Sequence, residues 1–240
     1  MTDSAIAPGS ADMRALLPPV RDQGQRGTCV AFAVTAAHEV ARIAGAAVTE
    51  DLSEEALFWG CKLIDGNWNS GTRFASAAAA LGATGQPLEA TWPYEPRRLA
   101  GTRYDPLGAP TDDWHTSGMG QAALDLASIR VELDAGRPVV LGLTVFDTLF
   151  LPAAAGRIAA PPAGSPARGR HAVLAIGHNA DALLIRNSWG RSWGLDGYGW
   201  LSNGYAELHV HEAWVIQPRT GGAVAPVTGT RTAGDVYGSA

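Results

Sequence analysis

"VRDQGQRGTCVAFAVTAAHEV", residues 20–40, sets a loop bearing Gln23, Gly24 and Gly27 directly against an Ala/Val-rich stretch and places Cys29 at the junction. Val30, Ala33, Val34, Ala37, Val40 and Ala44 recur at three- and four-residue steps, the spacing of one buried helix face, so a helix is expected from Thr28 to about Ala44. Cys29 falls in its first turn. A helix N-terminus and a neighbouring imidazolium together lower a thiol pKa from about 8.5 to roughly 3.5–7.5, which turns a weak nucleophile into a strong one. The plainer alternative is a small core residue beside Val30, Ala31 and Phe32.

A nucleophile needs company, and the flanking sequence offers candidates. Gln23, six positions before Cys29 on a glycine-bearing loop, can turn its side-chain amide back toward the helix start. With the backbone N–H of Cys29 it would hold the negative oxygen of a tetrahedral intermediate, a contribution worth about 10²–10³ in rate; otherwise it is a solvated turn residue. The base must come from six histidines. His38 sits nine residues along the same helix, about 13 Å away at 1.5 Å per residue, too far to touch the thiol. His115, in "DDWHTS", has the setting of a solvated loop position. His171 opens a strand after a Gly/Pro-rich loop and is free to face a cleft, whereas His178, seven residues on, points to the opposite face of an uninterrupted strand. His209 and His211 either line the cleft or lie on the surface. Asn187, which ends "ALLIRN" and begins "NSWGRSWG", can orient a catalytic imidazole, with Trp189 and Trp193 roofing the contact; the same residues also suit a tight turn with two core tryptophans.

The rest of the chain divides by texture. A second helix is expected over Leu52–Lys62, where Ser53 can cap and Glu54 and Glu55 complement the N-terminal dipole. A third runs from about Gly71 through "FASAAAALGATG" and stops at Gly82 or Gly85. A fourth spans about Met119–Ala135. Thereafter "VVLGLTV" (139–145), "HAVLAIGH" (171–178), "ALLIRNS" (182–188), "GYGWLS" (197–202) and "EAWVIQ" (212–217) are short strand-forming runs separated by turns, with a long Pro/Gly-rich loop at 152–170. The expected organisation is a flexible segment at 1–15, a mainly helical lobe at 16–115 with Gln23 and Cys29, a β lobe at 116–218 with His171 and Asn187, and a mobile tail at 219–240. A cleft between two such lobes is the natural place for chemistry.

Bulk properties narrow the function classes. With 240 residues and 46% hydrophobic composition the chain can bury one sizeable core or two modest ones. Eighteen basic against 23 acidic side chains, a net charge of −5, provide no basic footprint for nucleic acid. No run approaches the roughly 20 apolar residues of a membrane span, and the first residues lack a basic start followed by an apolar stretch, so no membrane partner and a cytoplasmic location are expected. Two cysteines, Cys29 and Cys61, form neither a disulfide framework nor a zinc-binding pattern. No metal or organic cofactor is expected, because neither a His-x-x-x-His nor a phosphate loop is present.

Taken together, "QGQRGTC" (23–29), "LSEEAL" (52–57), "NSG" (69–71), "HAV" (171–173) and "NSWGRSWGLDGYGWL" (187–201) resemble, in that order, the motifs of the papain/cathepsin family of cysteine peptidases, over most of the chain. The resemblance implies an α+β, papain-like two-lobe fold, a helical left lobe facing an antiparallel β-barrel right lobe across the active-site cleft. It further implies Cys29 as nucleophile, His171 as base and acid, Asn187 as its orienter and Gln23 as oxyanion donor. Gly71, Arg73, Arg170 and Trp189 become substrate-binding residues, the two arginines either favouring acidic or polar side chains in the neighbouring pocket or snorkelling to solvent. The implied activity is peptide-bond hydrolysis through an acyl-thioester, on peptide or protein substrates. A ligase or transpeptidase using the same thioester, and a non-catalytic peptide-binding module with this fold, are the alternatives. Two departures stand out. Arg26 replaces the family's cysteine three before the nucleophile and Val30 replaces the aromatic after it, so the customary disulfides are absent, as in a cytosolic, bacterial branch. Only 28 residues precede Cys29, so no inhibitory prodomain is expected, and restraint is assigned to a regulatory protein partner, the 152–170 loop or the tail.

Overall fold

The computed structural model describes residues 11–46, 50–99, 101–106, 108, 114–217 and 236–238. The chain enters with Ala11–Asp12 (β1), which pairs antiparallel with His178 and Gly177, so residues 11 and 12 of the expected flexible segment are held by a sheet while residues 1–10 lie outside the described residues. The helix read from the opening stretch spans Cys29–Ala46 (α1), and its face from Val30 through Val40 is buried. Glu54–Asp65 (α2) begins where Ser53 Oγ accepts the Ala56 N–H at 3.1 Å and ends at Gly66, whose φ of +70° closes the helix with a left-handed residue. Phe74–Ala83 (α3) packs its Phe74, Ala77, Ala80 and Leu81 face inward.

One expected element divides in two. Met119–Ala135 was the expected fourth helix; instead Gly118–Gln121 is a strand (β2) and the helix occupies Leu126–Asp134 (α4). The physical reasons are local. Glycine is costly inside a helix, Gly120 passes so close to Gln217 that a Cβ there would stand 2.4 Å from its Nε2, and Asp125 caps the real helix by accepting the Ser128 N–H at 2.8 Å. The remaining elements are Val139–Val145 (β3), Asp147–Phe150 (α5), Arg157–Ile158 (β4), Gly169–His178 (β5), Ala182–Arg186 (β6), Tyr198–Ser202 (β7), Asn203–His209 (α6) and Val210–Gln217 (β8). Every strand-forming run singled out in the sequence from residue 139 onward is a strand.

These strands form one sheet in the order β2-β8-β3-β5-β6-β7-β4, with β1 added on β5. The architecture is α+β, but the β-barrel is corrected to an open sheet: among the described residues no pairing joins β2 to β4, and β4 runs parallel to β7. Closure requires both edges to be long enough to pair in register. Here β2 has four residues and β4 two, and Pro161 and Pro162 follow β4 without backbone N–H groups to continue a ladder.

A contiguous apolar core runs from α1, α2 and α3 into β3, β5, β6 and β8, so the helical and sheet halves share one interior. A smaller cluster joins Ala56, Trp92 and Trp114, flanked by Trp59 and Tyr104. Of the expected mobile tail, residues 219–235 and 239–240 lie outside the described residues; Val236–Gly238 return to the body, where Tyr237 bridges Thr72 and is fully buried.

Candidate active site

The N-terminus of α1 packs against β5, which brings residues 29 and 171 from opposite ends of the chain to one place. Cys29 is fully buried, and its Sγ accepts the backbone N–H of Ala172, the residue after His171, at 3.4 Å. His171 Nε2 lies 2.7 Å from Asn187 Oδ1. That oxygen also accepts the Ser188 backbone N–H at 2.8 Å. A backbone N–H only donates, so the shared atom is an acceptor, Nε2 carries the ring proton, and Nδ1 is the basic nitrogen.

Aromatic rings cover this pair. Trp189 lies over His171 with centroids 4.5 Å apart, Phe150 from α5 stacks on Trp189 at 5.2 Å and 8°, and Trp193 stands perpendicular to Trp189 at 6.0 Å. Trp193 is itself pinned, its Nε1–H donating to Leu149 O at 2.8 Å. The roof excludes water from the His171–Asn187 contact, and in a low-dielectric setting that hydrogen bond holds the ring more firmly.

Gln23 is locked to the Asn187 loop rather than solvated. Its backbone N–H donates to Ser188 O at 2.9 Å, its Oε1 accepts from Ser188 Oγ at 2.6 Å, and its Nε2 donates to Arg26 O at 2.6 Å. The amide nitrogen carries two N–H groups, so one remains for another acceptor. Ser188, to which the sequence analysis assigned nothing, is therefore the clasp between Gln23 and Asn187; its only sequence signal is its place inside "NSW".

Burial sets the charge state in a direction the sequence did not indicate. Desolvation pushes the Cys29 thiol up to about 12, against the smaller lowering effect of the Ala172 N–H. It pushes His171 down to about 4, against the Asn187 hydrogen bond. With the site enclosed, the neutral thiol and neutral imidazole are favoured over the ionised pair expected from the helix N-terminus alone.

Of the four expected substrate-binding residues, Trp189 covers His171, while Gly71 and Arg73 lie just before α3 and Arg170 on β5. Gly71, with φ +80°, donates its N–H to Gly27 O at 3.0 Å, and its carbonyl accepts from the buried Lys62 Nζ at 2.7 Å. Lys62 is paired in turn with Asp65 at 3.0 Å, and Asp65 also accepts from Thr72 and Ser76, which fixes the rim to α2 and α3. Arg73 comes within 3.8 Å of Asp65. Arg170 lies on β5 opposite Thr144, next to His171. Beside Gly71, Phe74, Gly142 and Glu212 surround the Tyr237 side chain, with Trp214 against Phe74, so its setting combines aromatic rings with one carboxylate. Gly142, mid-strand in "VVLGLTV", was the available signal, because a glycine there marks a close approach.

The other histidines are engaged elsewhere. His178 Nε2 pairs with Asp134 at 2.8 Å, His38 Nδ1 with Gln86 at 3.0 Å, His211 Nε2 with Thr144 Oγ1 at 2.7 Å, His115 is 3.8 Å from Glu50, and His209 rests on Phe146 at 4.6 Å. Cys29 and Cys61 are both free. Arg26, which stands in place of the cysteine the resemblance would put there, makes a two-pronged contact with Glu55 of α2 at 2.5 and 2.8 Å and donates to Glu95 O at 2.9 Å, a noncovalent tie between the Cys29 loop and α2. Among the described residues no group of three or more His, Cys, Asp and Glu could hold a metal ion, and no helix is long and apolar enough to cross a membrane.

A thiol at a helix start, an imidazole on the facing strand and an amide behind it, in this α+β frame, define the architecture of the papain-like class. The family model described as "Papain family cysteine protease" matches residues 7–217, and the chain belongs to that family. It is 31% identical to digestive cysteine proteinase 2 of Homarus americanus over 75% of this chain and 56% of that protein, so it spans little more than half of that relative's length. It is 28% identical to cysteine proteinase 3 of Entamoeba histolytica over 80% of this chain and 62% of the other. Among solved structures, xylellain, a cysteine protease from Xylella fastidiosa, superposes with a TM-score of 0.73 at 29% identity, covering 88% of this chain and 86% of that one.

Proposed function

We propose that this protein is a cysteine peptidase that cleaves peptide bonds at Cys29. The observation that carries the reading is the convergence of Cys29, His171 and Asn187, linked by the 3.4 Å contact of Ala172 N–H with Sγ and the 2.7 Å contact of His171 with Asn187. In the proposed cycle the thiol proton passes to His171 Nδ1 as sulfur attacks the peptide carbonyl carbon. The resulting oxyanion accepts hydrogen bonds from the Cys29 backbone N–H and the remaining N–H of Gln23 Nε2. Collapse breaks the C–N bond, and the imidazolium gives its proton to the leaving amine. Water, deprotonated by the same ring, then attacks the thioester, releases the acid and returns the thiol.

A substrate backbone would enter between the Gly71–Thr72 rim and Arg170, while Asn187 keeps Nε2 protonated and Nδ1 serves as the base. The test uses a thiol-directed epoxide and a fluorogenic peptide library on the full chain, with Cys29→Ala as control. Stoichiometric labelling at Cys29 together with hydrolysis is the expected result. A folded protein that neither labels nor hydrolyses at any pH from 4 to 9 rejects it.

A further inference from the structure

Val236–Tyr237–Gly238, three residues near the end of the chain, lie extended along the groove beside Cys29. Thr72 N–H donates to Tyr237 O at 3.1 Å and Tyr237 N–H to Thr72 O at 3.0 Å, a reciprocal antiparallel bridge. Gly238 N–H donates to Arg170 O at 3.3 Å. The segment is thus bonded on one side to the rim of the helical half and on the other to β5, one residue before His171. The Tyr237 side chain is fully buried, its ring 4.9 Å from that of Phe74, its O–H donating to Glu212 Oε1 at 3.0 Å.

The groove is shaped around this occupant. A Cβ on Gly142 would stand 2.5 Å from the Tyr237 ring, one on Gly71 2.5 Å from Tyr237 O, and one on Gly27, two residues before Cys29, 2.6 Å from Gly238 O. Gly238 has φ +122°, a region L side chains rarely adopt, and a Cβ there would meet the Gly27 backbone at 2.7–2.9 Å.

We propose that Val236–Gly238 is a peptide ligand supplied by the chain to its own groove, which must leave before substrate enters, and that the groove selects a phenol-bearing residue followed by glycine. The inference rests on the peptidase reading for the groove's ordinary occupant, a peptide. Backbone pairing of this kind holds any extended chain, and the side-chain pocket decides which one. Glu212 is the specificity residue, since it accepts a hydrogen bond that tyrosine offers and phenylalanine does not. Glycine follows because the approach to Gly27 leaves no space for a side chain. Tethering raises the local concentration of the segment to about the millimolar range, so even a ligand of about 0.1 mM affinity keeps the groove mostly filled and raises the apparent KM about tenfold.

The test uses full-length Tyr237→Ala and Tyr237→Phe with a fluorogenic peptide, and a synthetic peptide of residues 233–240 added in trans. KM, rather than kcat, is expected to fall about tenfold in Tyr237→Ala and less in Tyr237→Phe. The free peptide should inhibit Tyr237→Ala competitively, wild type about tenfold less well, and not at all when the peptide carries Gly238→Ala. Should Tyr237→Ala fail to fold, Tyr237→Phe and the peptide against wild type carry the same comparison. Binding of the dye-labelled peptide to a Cys29→Ala/Tyr237→Phe protein, read by fluorescence anisotropy, needs no turnover. Binding without hydrolysis by any variant would remove the peptidase reading and leave this one standing. Hydrolysis with an unchanged KM in both variants and no binding of the peptide would overturn self-occupancy and leave the peptidase reading standing.

Discussion

Replacing Asn187 by alanine tests whether the imidazole is held by one atom. Asn187 Oδ1 accepts two hydrogen bonds, from His171 Nε2–H at 2.7 Å and Ser188 N–H at 2.8 Å, and all three residues are buried. Asn187→Ala leaves both donors unsatisfied, at about 1–3 kcal/mol each. A water entering the space left by the amide would recover part of this, so the expected loss of stability is about 2–4 kcal/mol. The catalytic loss is argued separately. General acid–base catalysis contributes about 10²–10⁴ and depends on ring placement. With Trp189 still covering the ring at 4.5 Å, misorientation rather than escape is expected, and kcat/KM should fall about 10²–10³-fold. The assays are urea unfolding and steady-state hydrolysis, corrected for the fraction of Cys29 that titrates with the epoxide. Asn187→Asp restores the acceptor and should recover most of the stability while raising the proton affinity of His171, because a carboxylate beside the ring favours its charged form. If Asn187→Ala folds with unchanged stability and keeps kcat/KM within threefold of wild type, the positioning argument is wrong.

Three further outcomes follow from buried groups outside the thiol–imidazole pair. Arg26→Ala strands Glu55, whose side chain is 2% exposed, and should cost about 3–5 kcal/mol in urea unfolding; a variant as stable as wild type would show that the tie between the Cys29 loop and α2 carries no weight. Burial raises Glu39 to about 7 from its ordinary carboxylate value of 4.5. A folded-state pKa above the unfolded one means that its contribution is fully present below about pH 4.5 and is lost as pH rises through about 7. Glu39→Gln, which retains an acceptor for the Leu52 N–H at 3.0 Å, should therefore stabilise by roughly 1–3 kcal/mol at pH 8 and by nothing near pH 4, as read by denaturant midpoints at both values; equal effects at the two pH values contradict the assignment. Gly142→Ala places a Cβ 2.5 Å from the Tyr237 ring position, so it should weaken use of tyrosine-containing peptides at least tenfold relative to peptides with a small residue in the pocket. A substrate profile unchanged from wild type would remove Gly142 from the pocket.

Local order was legible wherever a short-range rule acted alone. The apolar spacing from Val30 to Val40, the Ser53 cap, and the runs that became β3, β5, β6, β7 and β8 were readable because side-chain periodicity and capping involve neighbours a few residues apart. The candidate site was legible for the same kind of reason, since Cys29, His171, Asn187 and Gln23 each carry a recognisable local setting. Reading failed where a distant partner decided. Met119–Gln121 looked like the start of a helix because nothing nearby announces that β8 will claim it as a strand. Ser188 has no signal apart from the two residues it joins, and nothing near Glu212 in sequence announces that it will accept the Tyr237 hydroxyl twenty-five positions on.

The sequence by itself determined the helix that carries the thiol, the strand that carries the imidazole, the strand that leads into the amide, and the family to which the whole belongs, because periodicity, caps and short motifs are properties of contiguous residues. Only the tertiary structure decided that the sheet stays open, that burial pushes the Cys29 thiol up and the His171 imidazole down, and that the Tyr237 side chain is fully buried. Each of these depends on which surfaces lose water to one another across the fold, and solvent exclusion is a sum over spatial neighbours that no local stretch of chain contains.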